Sequence, residues 1–150
     1  MKKSIGTYQL GEIIIIHPKK GTESVAVLAE PIYQLNIKES PSKIGSIIRR
    51  CIEAYIDGDE RYDKEKWKKV NDPLVKLTGL KNSNEFFKNV LNPQVVLING
   101  VIHFCPRENH GIKKGFKKTD YPNIELDYSN ATDEDLGNAL LKALELSSIK

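Results

Sequence analysis

The chain has 150 residues, 39% of them hydrophobic and 29% charged, the balance of a soluble globule rather than of a disordered or membrane-embedded chain. A formal net charge of +3 is too small to argue for nucleic acid by itself, and two cysteines without C-x-x-C spacing, Cys51 and Cys105, give no disulfide framework and suit a reducing compartment. The apolar run Ile13 to Ile16 is far too short to span a bilayer, and the basic start Met1-Lys2-Lys3 leads into no apolar signal-peptide core, so one cytoplasmic domain over residues 1–150 is expected.

Glu12-Ile13-Ile14-Ile15-Ile16-His17 is short and β-branched, which predicts a strand buried on both faces. Pro18-Lys19-Lys20-Gly21 breaks it, and Ser24-Val25-Ala26-Val27-Leu28 predicts the returning strand. Tyr33, Leu35 and Ile37 alternate with polar neighbours, the pattern of a third, half-buried strand. Ser40-Pro41 starts a helix: Ser40 can accept an N-terminal amide, and Pro41 suits the first helical position. Ile44, Ile47, Ile48, Cys51, Ile52 and Tyr55 then form one apolar stripe, which Asp57-Gly58 is expected to end.

The middle, from about 58 to 93, is charged and punctuated. Asp72-Pro73 opens a short helix through Leu77 that stops at Gly79, and Ser83 caps another carrying Phe86, Phe87, Val90 and Leu91 up to Asn92-Pro93. Val95 to Ile98, Asn99-Gly100, and Val101 to Cys105 follow as a β-hairpin, because Asn-Gly accepts the positive φ angles of a type I′ turn. The two-residue loop sets Leu97 opposite Ile102 and Val95 opposite Phe104. The other face carries Val96, Ile98 and Val101 beside His103 and Cys105, so the hairpin is expected inside a sheet covered on both sides. After a basic loop, Ile124, Leu126 and Tyr128 alternate as a strand. Thr132 caps a last helix, with Asp133, Glu134 and Asp135 in its first turn and Leu136, Ala139, Leu140, Ala143 and Leu144 on its buried face.

The two ends of the chain echo one another. Pro31-Ile32-Tyr33-Gln34-Leu35-Asn36-Ile37 aligns with Pro122-Asn123-Ile124-Glu125-Leu126-Asp127-Tyr128, and Ser42-Lys43-Ile44-Gly45-Ser46-Ile47-Ile48 with Glu134-Asp135-Leu136-Gly137-Asn138-Ala139-Leu140. Ile16-His17-Pro18 has a counterpart in Phe104-Cys105-Pro106. Two related βα halves are expected, the alternative being two units alike only because each needs a cap and an apolar stripe. Glycine early in each helix costs about 0.5–1 kcal/mol against alanine, which points to close packing of helix on sheet.

Charge is unevenly placed. Residues 57–65 are acidic on balance, 107–118 are basic, and 123–135 carry only acidic charges. His103 and Cys105, two apart on a strand, share a face and with His110 could supply three zinc ligands, but a structural site needs a fourth and no paired ligand cluster is present. The plainer reading is a buried cysteine and a hydrogen-bonded histidine, so neither metal nor cofactor is expected. A metal-free ribonuclease using His103 or His110, with Lys113 or Lys114 on phosphate, is a weaker alternative, as is nucleic-acid binding through Lys113 to Lys118 with Phe116. Cys51 lies on an apolar helix stripe, where burial raises a thiol's pKa and disables a nucleophile. No Gly-rich phosphate loop is present. Trp67, amid Lys64, Lys66, Lys68 and Lys69, reads equally as a contact anchor and as a cover for the core.

The strand, acidic cap and Leu136-Gly137-Asn138-Ala139-Leu140-Leu141-Lys142-Ala143-Leu144 resemble the ending of the immunity proteins of bacterial contact-dependent growth inhibition systems, and Ser40-Pro41-Ser42-Lys43-Ile44-Gly45 resembles the same element in the first half. The resemblance implies a cytoplasmic α/β protein, not an enzyme, that binds a delivered toxin domain and blocks it; such toxins are commonly nucleases. The expected fold is α/β, a central mixed sheet of about six strands with helices packed against it. The expected partner is a cognate toxin domain bound 1:1, with no membrane contact and no direct nucleic-acid binding. The residues expected at the interface are Asp57, Asp59, Glu60 and Asp63, which could mimic phosphates, together with Trp67.

Overall fold

The computed structural model describes residues 2–150. A first unit runs through β1 (Lys2–Leu10), β2 (Ile13–Lys20), β3 (Val27–Leu28), β4 (Tyr33–Asn36) and α1 (Pro41–Glu53). A linker of three short helices follows, α2 (Lys64–Lys69), α3 (Asp72–Thr78) and α4 (Ser83–Lys88). The second unit comprises β5 (Gln94–Ile98), β6 (Val101–Cys105), β7 (Arg107–Asn109), α5 (Gly111–Lys114), β8 (Phe116–Lys118), β9 (Ile124–Asp127), α6 (Asp133–Leu146) and β10 (Ser148–Ile149).

The sheet is the α/β core that the alternating patterns imply. Its seven strands run β3-β2-β1-β5-β6-β9, with β4 also paired to β2, and all its ladders are antiparallel. Parallel pairing occurs where β10 meets β7 in a separate three-stranded sheet, and in a single bridge between Lys20 and Ile56. The hairpin has the expected register, Leu97 to Ile102 and Val95 to Phe104, with positive φ at both Asn99 and Gly100.

The units are related position by position. Ile16 faces Tyr33 and Ile14 faces Leu35 in the first; Phe104 faces Ile124 and Ile102 faces Leu126 in the second. Lys19 pairs with Leu28 as Arg107 pairs with Lys118. The parallel bridge of Lys20 to Ile56 reappears as the parallel pairing of Glu108 with Ser148. The units meet through β1 and β5, antiparallel from Ile5 with Val95 outward, and Gln9 bridges to Leu91. Antiparallel contact between like strands is what a twofold axis produces.

The helix layer obeys the same symmetry. Ile44, Ile48 and Ile52 of α1 and Leu136, Leu140 and Leu144 of α6 pack on Ile14, Ile16, Val95, Ile102 and Phe104 of the sheet. Each of these side chains contributes about 1.5–3 kcal/mol by leaving water. A Cβ on Gly45 would lie 1.6 Å from the Asp133 carbonyl oxygen, and one on Gly137 would lie 1.8 Å from that of Pro41. Each glycine therefore admits the start of the other helix. The close packing is helix on helix, not helix on sheet as the sequence suggested.

Several boundaries differ from expectation. The α1 helix stops at Glu53 with Ala54 as its cap, ahead of Asp57-Gly58, because Ile56 is drawn into its bridge with Lys20. Only Val27 and Leu28 of the expected returning strand join the sheet. The α4 helix ends at Lys88, since Leu91 is held by Gln9. The second face of the hairpin is covered only in part: Val96 is buried, but Ile98 is 37% exposed. Tyr8 and Ile15 on the same sheet face are covered by Leu74, Phe86 and Val90 from the linker. Gly45→Ala and Gly137→Ala should each lower the unfolding free energy by about 3 kcal/mol in urea titrations; a loss below about 0.5 kcal/mol in either would show that the helix crossing has room to spare.

Candidate partner-binding site

The sheet face opposite α1 and α6 ends in a ledge where the first unit passes into the linker. Gly21 N–H donates to the Ile56 carbonyl (2.8 Å), Ile56 N–H to Lys19 (3.3 Å) and Glu23 N–H to Glu60 (3.1 Å), so residues 56–60 lie along the end of β2. Gly21 and Gly58 let the two backbones touch: a Cβ on Gly58 would sit 2.6 Å from the Gly21 carbonyl oxygen. This clamp presents Asp57, Asp59 and Glu60, all exposed, on a shared lip.

The five residues expected to bind a partner occupy this region with different local duties. Asp57 and Asp59 have no side-chain hydrogen bond or ion pair among the described residues. Glu60 pairs closely with Lys66, whose ammonium holds the carboxyl below its ordinary range. Asp63 caps α2, accepting from Lys66 N–H at 2.8 Å. Trp67 is half-buried with its ring 5.2 Å from that of Tyr62, itself buried under the Lys66 ammonium at 4.3 Å from the ring centroid. The indole therefore covers Tyr62 and also lines a small hollow with Lys19, Val25 and Val27.

Beside the lip opens a cavity of about 430 Å³, with Lys2, Lys19, Tyr8, Tyr55, Gly58 and Arg107 among its walls. Burial holds the Lys19 ammonium down to about 8, helped by the nearby charges of Arg107 and Lys2. Arg107 donates from Nε to the Asn92 carbonyl (2.8 Å), makes a close Nη2 contact to Asn92 Oδ1 and lies over the Phe116 ring. Sequence reasoning passed over Lys19 and Arg107. The available signal was that each directly follows a proline of the echoed pair, Pro18 and Pro106.

The family model for the CDI immunity protein matches residues 40–147. The chain belongs to the CDI immunity protein family. Among solved structures, a protein of unknown function from Neisseria meningitidis has the same fold, with a TM-score of 0.77 and 17% identity, over 98% of this chain and 96% of that one. A chain of the CdiA-CT/CdiI toxin and immunity complex from Yersinia pseudotuberculosis has a TM-score of 0.77 and 12% identity, over 98% of each chain. No curated protein matches the sequence.

In this immunity protein the histidines lie apart from the lip. His103 Nδ1 is 3.4 Å from Glu125 Oε1 across neighbouring strands, and His110 Nε2 is 2.9 Å from Glu108 Oε1. Among the described residues, no group of three or more His, Cys, Asp or Glu is arranged to hold a metal. Cys51 is fully buried, and burial pushes its thiol up to about 12. Among the described residues, no helix is long and apolar enough to cross a membrane.

His17 stacks on Tyr8, one of the cavity's walls. It pairs with Gly6, whose missing side chain leaves room for the imidazole: a Cβ there would fall 2.0 Å from Nε2. Nδ1 is 2.7 Å from the Pro18 carbonyl, Nε2 has no hydrogen-bond partner, and burial lowers the pKa to about 4. A basic group depressed on folding stabilises the fold fully above its unfolded value near 6.5 and loses that contribution as pH falls toward 4. Unfolding free energy should thus drop by about 2 kcal/mol between pH 7 and 5, more steeply than in His17→Phe; parallel urea-midpoint profiles for the two proteins would remove His17 as the cause.

Proposed function

We propose that this immunity protein neutralises a cognate toxin domain, a nuclease, in the cytoplasm by covering it in a 1:1 complex, and that it acts by binding rather than by turnover. The observation that carries this reading is family membership combined with the ledge: Asp57 and Asp59 stand exposed on backbone fixed by the Gly21–Gly58 clamp, and Trp67 lies half-buried on the helix that follows. Carboxylates at phosphate-like positions would compete for the cationic groups with which a nuclease holds its substrate backbone. Glu60 and Asp63 contribute to the same negative field while holding α2 in place, and Trp67 supplies apolar contact area at its edge. The parallel pairing of Lys20–Glu23 with 56–60 makes the lip rigid enough to be recognised without ordering cost.

A second reading has one observation in its favour. Lys88, Lys113, Lys114 and Lys150 surround a concavity that also includes His110 and Ile112, and a basic hollow of this kind can hold a nucleic-acid backbone. The readings separate by titration calorimetry. The co-encoded toxin domain should bind the wild-type protein at a 1:1 ratio and lose its nuclease activity on stoichiometric addition. Asp57→Lys with Asp59→Lys should weaken binding at least about tenfold, more at low salt than at high. Unchanged affinity would remove the lip from the interface. RNA binding by the immunity protein alone, with steep salt dependence, would favour the second reading.

A further inference from the structure

Lys19 and Arg107 hold the same position in the two units, as their matched pairings with Leu28 and Lys118 show. The twofold relation carries both to one cavity, where Lys2 joins them. No Asp or Glu lines that cavity, and among the described residues none of the three cations forms an ion pair. Arg107 spends Nε and Nη2 on Asn92, and among the described residues neither its Nη1 nor Lys19 Nζ has an acceptor. Three like charges gathered in a half-buried space repel one another and have unmet donors; a seated oxyanion would relieve both.

We propose that this cavity is an anion subsite that receives a single carboxylate side chain of the toxin domain. The proposal rests on the inhibitory reading above and adds the cationic half of the interface to its acidic lip. A carboxylate is favoured over nucleic-acid phosphate by what surrounds the opening. Gly58 and Tyr55 form one wall, and Asp57 and Asp59 flank Gly58, so a chain of phosphates entering here would run against carboxylates. One acidic side chain on a protein surface of mixed charge meets no such barrier, and its own basic neighbours would meet the lip. Ser4 and Ser24 also line the cavity and supply further hydroxyl donors, whereas the Thr22 hydroxyl donates to the Val25 carbonyl at 2.6 Å.

The test compares Lys19→Gln and Lys19→Arg with the wild type in calorimetric titrations of the co-encoded toxin domain. Lys19→Gln should weaken binding about thirtyfold, and Lys19→Arg, which keeps the charge, should bind within about threefold of wild type. Wild-type affinity should fall as pH rises past 8, where the free protein's Lys19 loses its proton, and the Lys19→Arg profile should be flat over that range. An acidic residue of the toxin whose change to glutamine has no additional effect in the Lys19→Gln background would identify the occupant. Wild-type affinity for Lys19→Gln would overturn this subsite while leaving the inhibitory reading intact; failure of the wild type to bind the toxin would overturn both. An RNA oligonucleotide bound in the absence of toxin and released by Lys19→Gln would reassign the cavity to phosphate.

Discussion

Ile5 pairs with Val95, Gln9 bridges to Leu91, and through this contact of β1 with β5 two similar units become one continuous sheet. Each unit alone would leave a strand edge unpaired and an amphipathic helix with a half-covered stripe. Joined edge to edge, they bring α1 and α6 side by side on one face. Gly45 and Gly137 then admit the opening turn of the partner helix, and no side chain could fill either position without moving a backbone. Thr7 and Asn92 tie the same seam from the side: Thr7 Oγ1 donates to the Pro93 carbonyl and Asn92 Nδ2 to the Thr7 carbonyl, both at 2.8 Å.

The symmetry also explains where a site can form. One face of the sheet is consumed by the helix pair and is the main core. The other is only partly roofed by the linker, whose Leu74, Phe86 and Val90 cover Tyr8 and Ile15. Equivalent positions on this open face converge near the junction of the units, which places Lys19 and Arg107 in one cavity. The acidic lip belongs to the exit of the first unit, where the linker begins, and so has no counterpart in the second. Its negative charge beside a cationic hollow is therefore a product of asymmetry added to a symmetric frame.

Much of this frame is legible in the sequence. Asn99-Gly100 sets the hairpin register, Ser40 and Thr132 mark the two long helices, and the echoed segments align the units. The first strand was passed over because Ser4-Ile5-Gly6-Thr7-Tyr8 shows little apolar alternation; Gly6 is there to accommodate His17, a contact that only the folded register reveals. The echo holds a signal for that strand, since Ile16-His17 aligns with Phe104-Cys105, the end of a hairpin's returning strand. Residues 107–118 read as a basic loop because their strands are three residues long, and β7, besides pairing with β8, is completed by β10, far along the chain. Lys19 and Arg107 are unremarkable as letters among many cations. Their convergence depends on the twofold relation, which local patterns do not express.

The central claim is that a toxin domain covers the open sheet face where the first unit meets the linker. Amide hydrogen exchange, followed with and without saturating co-encoded toxin domain, addresses it directly. The account predicts slowed exchange in residues 21–26 and 55–60, with the solvent side of α1 and α6 unchanged. Protection confined to α1 and α6, or to the basic hollow around residues 110–114, would contradict it.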